Sequence, residues 1–218
     1  MKKVLFVVSV LLLAFLFSFP FVSRALINSK LNHSQLRIVY STKRYSLLGI
    51  LFSKAKIYLA GNYLAHFDYL RVGISPFMYI EAVGMCGRDY MDAKFYSYKT
   101  VFFSRGMDSY CLSYDSNIYF SATYKVILTR DGIFGEESFN DLLVNGSFFK
   151  RVSLTFQGNR GYVVLYCDSS VNPDGTVSFV FSYDVRNPIY NKVLTPVVLS
   201  CQNRKVAVTG NILTPLFR

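Results

Sequence analysis

The sequence predicts a mainly β protein: an N-terminal transmembrane helix, then one antiparallel β domain with one or two short helices. Three observations predict it. The chain opens on a long apolar run. Beyond that run, most segments alternate apolar and polar residues with period two. Tyr and Phe, which favour strands, supply all of the aromatic content, 17% of 218 residues, with no Trp.

Residues Val4 to Val22 are apolar except for Ser9, Ser18 and Pro20. As a helix this run rises roughly 28 Å, close to the thickness of a bilayer's hydrocarbon core. Lys2 and Lys3 give it the basic start of an export signal, and Ser23-Arg24-Ala25 offers a small-x-small cleavage site. The run exceeds the usual cleaved core of about 7–15 residues. Residues 1–25 are therefore expected to stay as a membrane anchor, N-terminus inside, and residues 26–218 to form one exported β domain.

The formal charge is +11. Without Lys2, Lys3 and Arg24, 21 basic face 13 acidic side chains, a net +8. Such a balance favours anionic neighbours such as lipid head groups. The basic residues are scattered singly, so no nucleic-acid partner is expected.

Strand signals run in order along the chain. "LRIVY" (36–40), "KAKIYLA" (54–60), "HFDYLRVGIS" (66–75) and "KFYSYKTVFF" (94–103) read as extended. In "IYFSATYKVILT" one face is Ile118, Phe120, Ala122, Tyr124, Val126 and Leu128, apolar throughout. "TVSFVFSY" places Val177, Phe179, Phe181 and Tyr183 on one side. Turns at "QGNRG" (157–161) and "NPDG" (172–175) then divide a meander with strands near 151–157, 161–168, 176–184, 192–200 and 204–210. Pro196 marks the strand near 192–200 as an edge or a bulge. Phe120, Tyr124, Phe179 and Phe181 are the candidate site, an apolar groove or a closed core.

Helical signals are few. "FGEESFNDLLVNG" has Phe139, Leu142 and Leu143 at helical spacing, Glu136-Glu137 in a first turn and Gly146 as a stop, which predicts one short helix. "STKRYSLLGILFS" (41–53) predicts a second.

Chemistry-bearing patterns are sparse, and no catalytic residue, metal ligand or cofactor is expected. His33 and His66 have no neighbouring triad or metal motif. Ser147-Phe148-Phe149-Lys150 matches S-x-x-K, but that chemistry needs the serine at a helix start, and here the motif leads into a strand pattern. Asn32-His33-Ser34 and Asn145-Gly146-Ser147 match the glycosylation sequon. Cys86, Cys111, Cys167 and Cys201 lack zinc-knuckle spacing. Their pairing is left open, with one geometric expectation. If strand order follows the sequence, one strand separates Cys167 from Cys201 by about 9–10 Å, too far for a disulfide.

Two stretches resemble a known family. "YSLLGILFSKAKIYLAGNYLAHFDYLRVGISPF" (45–77) is similar to the N-terminal part of AsmA-like envelope proteins and of type II secretion system protein N. "GSFFKRVSLTFQGNRGYVVLYC" and "NRKVAVTGNILTPLF" resemble the C-terminal meander of that group, with Gly146, Gly158, Gly161 and Gly210 where its pattern has glycines. The resemblance covers about half of the chain and carries no catalytic signature; residues 85–115 depart from it. It implies a single-pass inner-membrane protein of a double-membraned bacterium, whose periplasmic domain is an antiparallel, curved open sheet or jelly-roll-like fold with an apolar inner face and handles lipid or serves secretion-system or outer-membrane assembly. The residues themselves admit two other readings: a structural partner docking a membrane complex by a sheet edge, and a viral membrane-anchored accessory glycoprotein.

Overall fold

The computed structural model describes residues 18–22, 25–29, 36–46, 49–59, 61–75, 79–112, 117–168, 172–183, 196–210 and 215–217. Strands take up 72% of these. Residues 18–22 and 25–29 are helical. The rest of the expected 4–22 span, the sequon at Asn32 and the first residues of the strand expected at 192–200 lie outside the described residues. Among the described residues, no helix is long and apolar enough to cross a membrane.

The chain divides into two compact units, Met1–Met85 and Cys86–Arg218. In the first, β1 (Leu36–Val39) and β2 (Thr42–Ser46) both pair with β3 (Gly49–Leu59), which pairs with β4 (Asn62–Ile74), which pairs with β5 (Ile80–Cys86). All four pairings are antiparallel. Ile50, Phe52, Ala55, Phe67, Leu70 and Val72 are buried.

The helix expected over 41–53 is therefore corrected to β2 and the start of β3. Just beyond that segment Lys54, with a φ of 50°, interrupts the alternation of β3, so that Phe52 and Ala55, three residues apart, are both buried.

The second unit carries β6 (Asp89–Phe95), β7 (Thr100–Arg105), β8 (Met107–Asp108), β9 (Ile118–Leu128), β10 (Ile133–Val144), β11 (Ser147–Gly158), β12 (Arg160–Tyr166) and β13 (Gly175–Val180). Neighbours pair antiparallel in the order β6-β7-β9-β10-β11-β12-β13, with β8 also on β9. The last strands form a separate three-stranded sheet: β14 (Val197–Cys201), β15 (Arg204–Gly210) and β16 (Pro215–Phe217). β14 starts directly after Pro196 and lies at that sheet's edge, where a proline is tolerated.

The expected 94–103 strand is two strands. The chain turns back at 96–99, where the Tyr96 N–H donates to the Lys99 carbonyl at 2.9 Å. The helix expected over 134–146 is corrected to strand β10. Asp141, with φ 50°, interrupts alternation as Lys54 does, so Phe139 and Leu142 are both buried. Glu136 and Glu137 fall on opposite faces instead of forming a helix-start pair. Gly146, expected as a helix stop, lies with Asn145 at the tip of the β10–β11 hairpin. Both residues have positive φ, 48° and 73°, and Val144 pairs with Ser147 across them. That is the backbone of a type I′ turn, which favours Asn-Gly.

Candidate functional site: an aromatic face enclosing an acid

Strict alternation along β9 sends Phe120, Ala122, Tyr124, Val126 and Leu128 to one face of the second unit's large sheet. Antiparallel register then sets Ile133, Glu137 and Phe139 of β10 beside them, since Leu128 faces Ile133, Tyr124 faces Glu137, and Ala122 faces Phe139. On β11 the same face holds Phe149, Val152, Leu154 and Phe156, and on β12 Val163 and Leu165. All of these side chains are buried.

Phe120, Tyr124, Phe179 and Phe181 are buried, and they fall into two aromatic groups. In one, Phe139 receives Phe120 edge-on at 5.0 Å and Tyr124 edge-on at 6.5 Å. In the other, Phe156 meets Phe179 at 6.4 Å and Phe181 at 6.1 Å, both near-perpendicular, and Phe179 and Phe181 lie 6.0 Å apart. Edge-to-face contacts place the positive ring edge on the negative ring face, and each is worth about 0.5–1.5 kcal/mol beyond area burial. Val177, of the same parity as Phe179, is 43% exposed. β13 ends the run of paired strands, so one side of it has no strand neighbour among the described residues.

Sequence reasoning missed the two rings that organise these groups. Phe139 is hidden by the helix-like spacing of its segment. Phe156 is visible as an inward position of its strand, but nothing local distinguishes it from its neighbours. Gly161, expected as part of a turn, lies within β12, directly opposite both Phe156 and Phe179, and a Cβ there would run into the Phe179 ring. The missing side chain leaves the space that the tip of that ring occupies.

Glu137 is the chemical anomaly of this face. It is fully buried, and neither carboxyl oxygen has a hydrogen-bond partner of ordinary geometry. Burial pushes its pKa well above the usual carboxylate range, and the Tyr124 side chain opposite offsets only part of that. Burial among aromatic rings disfavours the ionised form, and the Tyr124 side chain is the polar group that opposes this.

Ser104, also buried, completes the β7–β9 junction. Its Oγ accepts the Tyr124 N–H at 2.9 Å and donates to the Ala122 carbonyl at 3.5 Å. Backbone pairing between β7 and β9 runs from Thr100 to Phe103, and β8 resumes it at Met107. The serine bridges the gap between these two partners of one strand edge.

The S-x-x-K residues do not assemble a nucleophile. Ser147 is buried at the start of β11, whereas the exposed Lys150 Nζ pairs with Asp141 Oδ1 at 2.7 Å. Asn145 of the second sequon is exposed at the hairpin tip.

Both cysteine pairs are closed: Cys86–Cys111 with Cα atoms 6.2 Å apart, and Cys167–Cys201 with Cα atoms 5.7 Å apart. The second overturns the expectation that Cys167 and Cys201 lie too far apart. β14 does not continue the large sheet; it starts the smaller one, so the count of intervening strands does not set the separation. The disulfide ties the end of β12 to the end of β14. The Arg204 guanidinium, donating to the Gly146 carbonyl, makes a second tie between the two sheets.

These features define a class: a disulfide-linked antiparallel β protein whose larger sheet buries an aromatic face around a buried acid. No protein-family model, curated protein or solved structure matches the chain.

Proposed function

We propose that the chain is a non-enzymatic, membrane-anchored envelope protein of a double-membraned bacterium, with its β domain in the periplasm, engaged in lipid handling or in assembly of a secretion system or the outer membrane. The observation that carries this reading is the pairing of all four cysteines. Disulfides persist in oxidising compartments and are rare in the reducing cytosol. The apolar N-terminal run and the net charge of +11 are consistent with a domain held beside an anionic membrane.

The test is native purification of the full-length chain from membranes after acid trapping and alkylation of free thiols. The reading expects no alkylated cysteine without prior reduction. It also expects lipid or envelope proteins to co-purify in stoichiometric amount. Alkylation of all four cysteines in intact cells would place the chain in a reducing compartment and sink the export reading. Blocked thiols with neither lipid nor protein bound would sink the lipid and assembly roles while leaving export standing.

A further inference from the structure

We infer that the β6–β7 hairpin tip is a membrane-contact element that seats its aromatic side chains in the interface of an anionic bilayer. Hairpin tips normally carry Gly, Asn, Asp or Pro, which suit turn dihedrals and remain hydrated. This one is Tyr96-Ser97-Tyr98-Lys99. Tyr98 is 62% exposed, and Phe95 at the base is 40% exposed with its ring edge-on to Phe102 at 6.1 Å. The Tyr96 and Tyr98 rings lie 6.0 Å apart, and the Lys99 ammonium sits 5.3 Å from the centre of each.

Charge selects the occupant. Lys94 and Lys99 are the charged residues of the hairpin end, Arg105 lying at the far end of β7 opposite Tyr90; the β9–β10 turn beside the tip carries Arg130 and Asp131, whose charges cancel. The Lys94 ammonium is matched by Asp92 at 3.1 Å. Lys99 adds positive charge at the tip itself. Tyrosine rings with polar ends, flanked by basic side chains whose stems lie along apolar surface, suit the head-group layer. Anionic lipid adds about 1 kcal/mol per basic residue near its surface.

The absence of Trp from the chain supplies the experiment. In full-length protein, Tyr98→Trp places a sole tryptophan at the tip, excited selectively beyond the tyrosine absorption band, and Tyr119→Trp, on the outward side of β9, is the control. Both are mixed with vesicles of phosphatidylglycerol and phosphatidylcholine bearing brominated acyl chains. The expected result is a blue shift and bromine quenching at position 98, little quenching at 119, and both effects lost in pure phosphatidylcholine. Lys99→Glu added to Tyr98→Trp should weaken the quenching on the order of tenfold, since it reverses a charge at an anionic surface. Phe95→Trp serves as a second reporter if replacement at 98 lowers the melting temperature. An emission at 98 that stays water-like while the protein floats with the vesicles would overturn the proposal and leave the tip to a protein partner. Equal quenching at 98 and 119, or no dependence on anionic lipid, would overturn it as well.

Discussion

Glu137 on β10 stands directly opposite Tyr124 on β9, both buried, with no cation among the described residues acting on the carboxyl. The pair puts an acid in the middle of an aromatic face, on a strand flanked on both sides. Such a residue costs stability wherever its carboxyl would otherwise ionise.

The pH dependence comes from the raised pKa. Below the ordinary carboxylate value of 4.5, folded and unfolded chains both hold the proton. Above it the unfolded chain releases the proton while the folded chain keeps it. The folded state then binds more protons, so this residue lowers stability as pH rises, until the folded group ionises as well. Glu137→Gln keeps the shape and removes the titration. It should match the parent near pH 4 and exceed it at pH 7–8, the gap widening between. Urea unfolding of both proteins across that range measures the gap; parallel stability profiles would show that Glu137 is ionised in the fold.

Removing Ser104 Oγ tests the junction beside that pair. Ser104→Ala leaves the Tyr124 N–H without its acceptor in a buried setting, which costs about 1–3 kcal/mol. Ser104→Thr retains the hydroxyl and should lose less. If Ser104→Ala melts with the parent, the N–H has found another acceptor and the bridge between β7 and β8 is not structural.

How much of the fold and the site is legible in the sequence depends on the locality of the signal. β9 is legible because alternation from Ile118 to Leu128 runs unbroken, and Phe120 and Tyr124 come with it. β10 is not, because one left-handed residue, Asp141, places Phe139 and Leu142 together in the core at a helix-like spacing. Asn145-Gly146 between two apolar runs is the available counter-signal, since two positive φ values fit a hairpin better than a helix end. Glu137 is misread with its segment, because an acid reads as solvent-facing until its strand parity is known. The Cys167–Cys201 link is out of reach for another reason. It depends on β14 leaving the large sheet; Pro196 marks that strand as an edge but does not say of which sheet.

The aromatic face can be weighed by truncation. Phe120→Ala and Phe179→Ala each remove a buried ring from a cluster and should cost about 3–5 kcal/mol. Tyr119→Ala, on the exposed side of the same strand as Phe120, should change stability by no more than about 0.5 kcal/mol. Denaturant midpoints at constant slope measure all three. Comparable losses at positions 119 and 120 would mean that both faces of β9 are packed.

The two disulfides should contribute separately. Cross-links spanning 25 and 34 residues restrict the unfolded chain by about 3–4 kcal/mol each in the chain-entropy account. Opening Cys167–Cys201 as a double alanine variant should loosen β14–β16 from the end of β12, leaving the Arg204 contact with Gly146 and the approach of β14 and β15 to β11. Hydrogen exchange at Val197–Cys201 should then rise well ahead of exchange on β9 and β10. Equal loss of protection in both sheets would show that they unfold as one.

Gly161 and Phe179 offer the sharpest test, because one atom decides it. Gly161 lies between Phe156 and Phe179 in the β11-β12-β13 register, and the Phe179 ring occupies the space that a Cβ would need. Gly161→Ala must therefore push the ring aside, and overpacking of this kind costs about 1–3 kcal/mol. Alanine is otherwise the better strand residue, since glycine loses more conformational freedom on folding. The sign of the change thus separates steric conflict from backbone entropy. In a Phe179→Leu background the ring is gone and the conflict with it, so the same Gly161→Ala change should become neutral or stabilising. The coupling in this double-mutant cycle should reach about 1 kcal/mol or more. Additive effects would mean that Phe179 does not lie over Gly161, and that the second aromatic group is built differently.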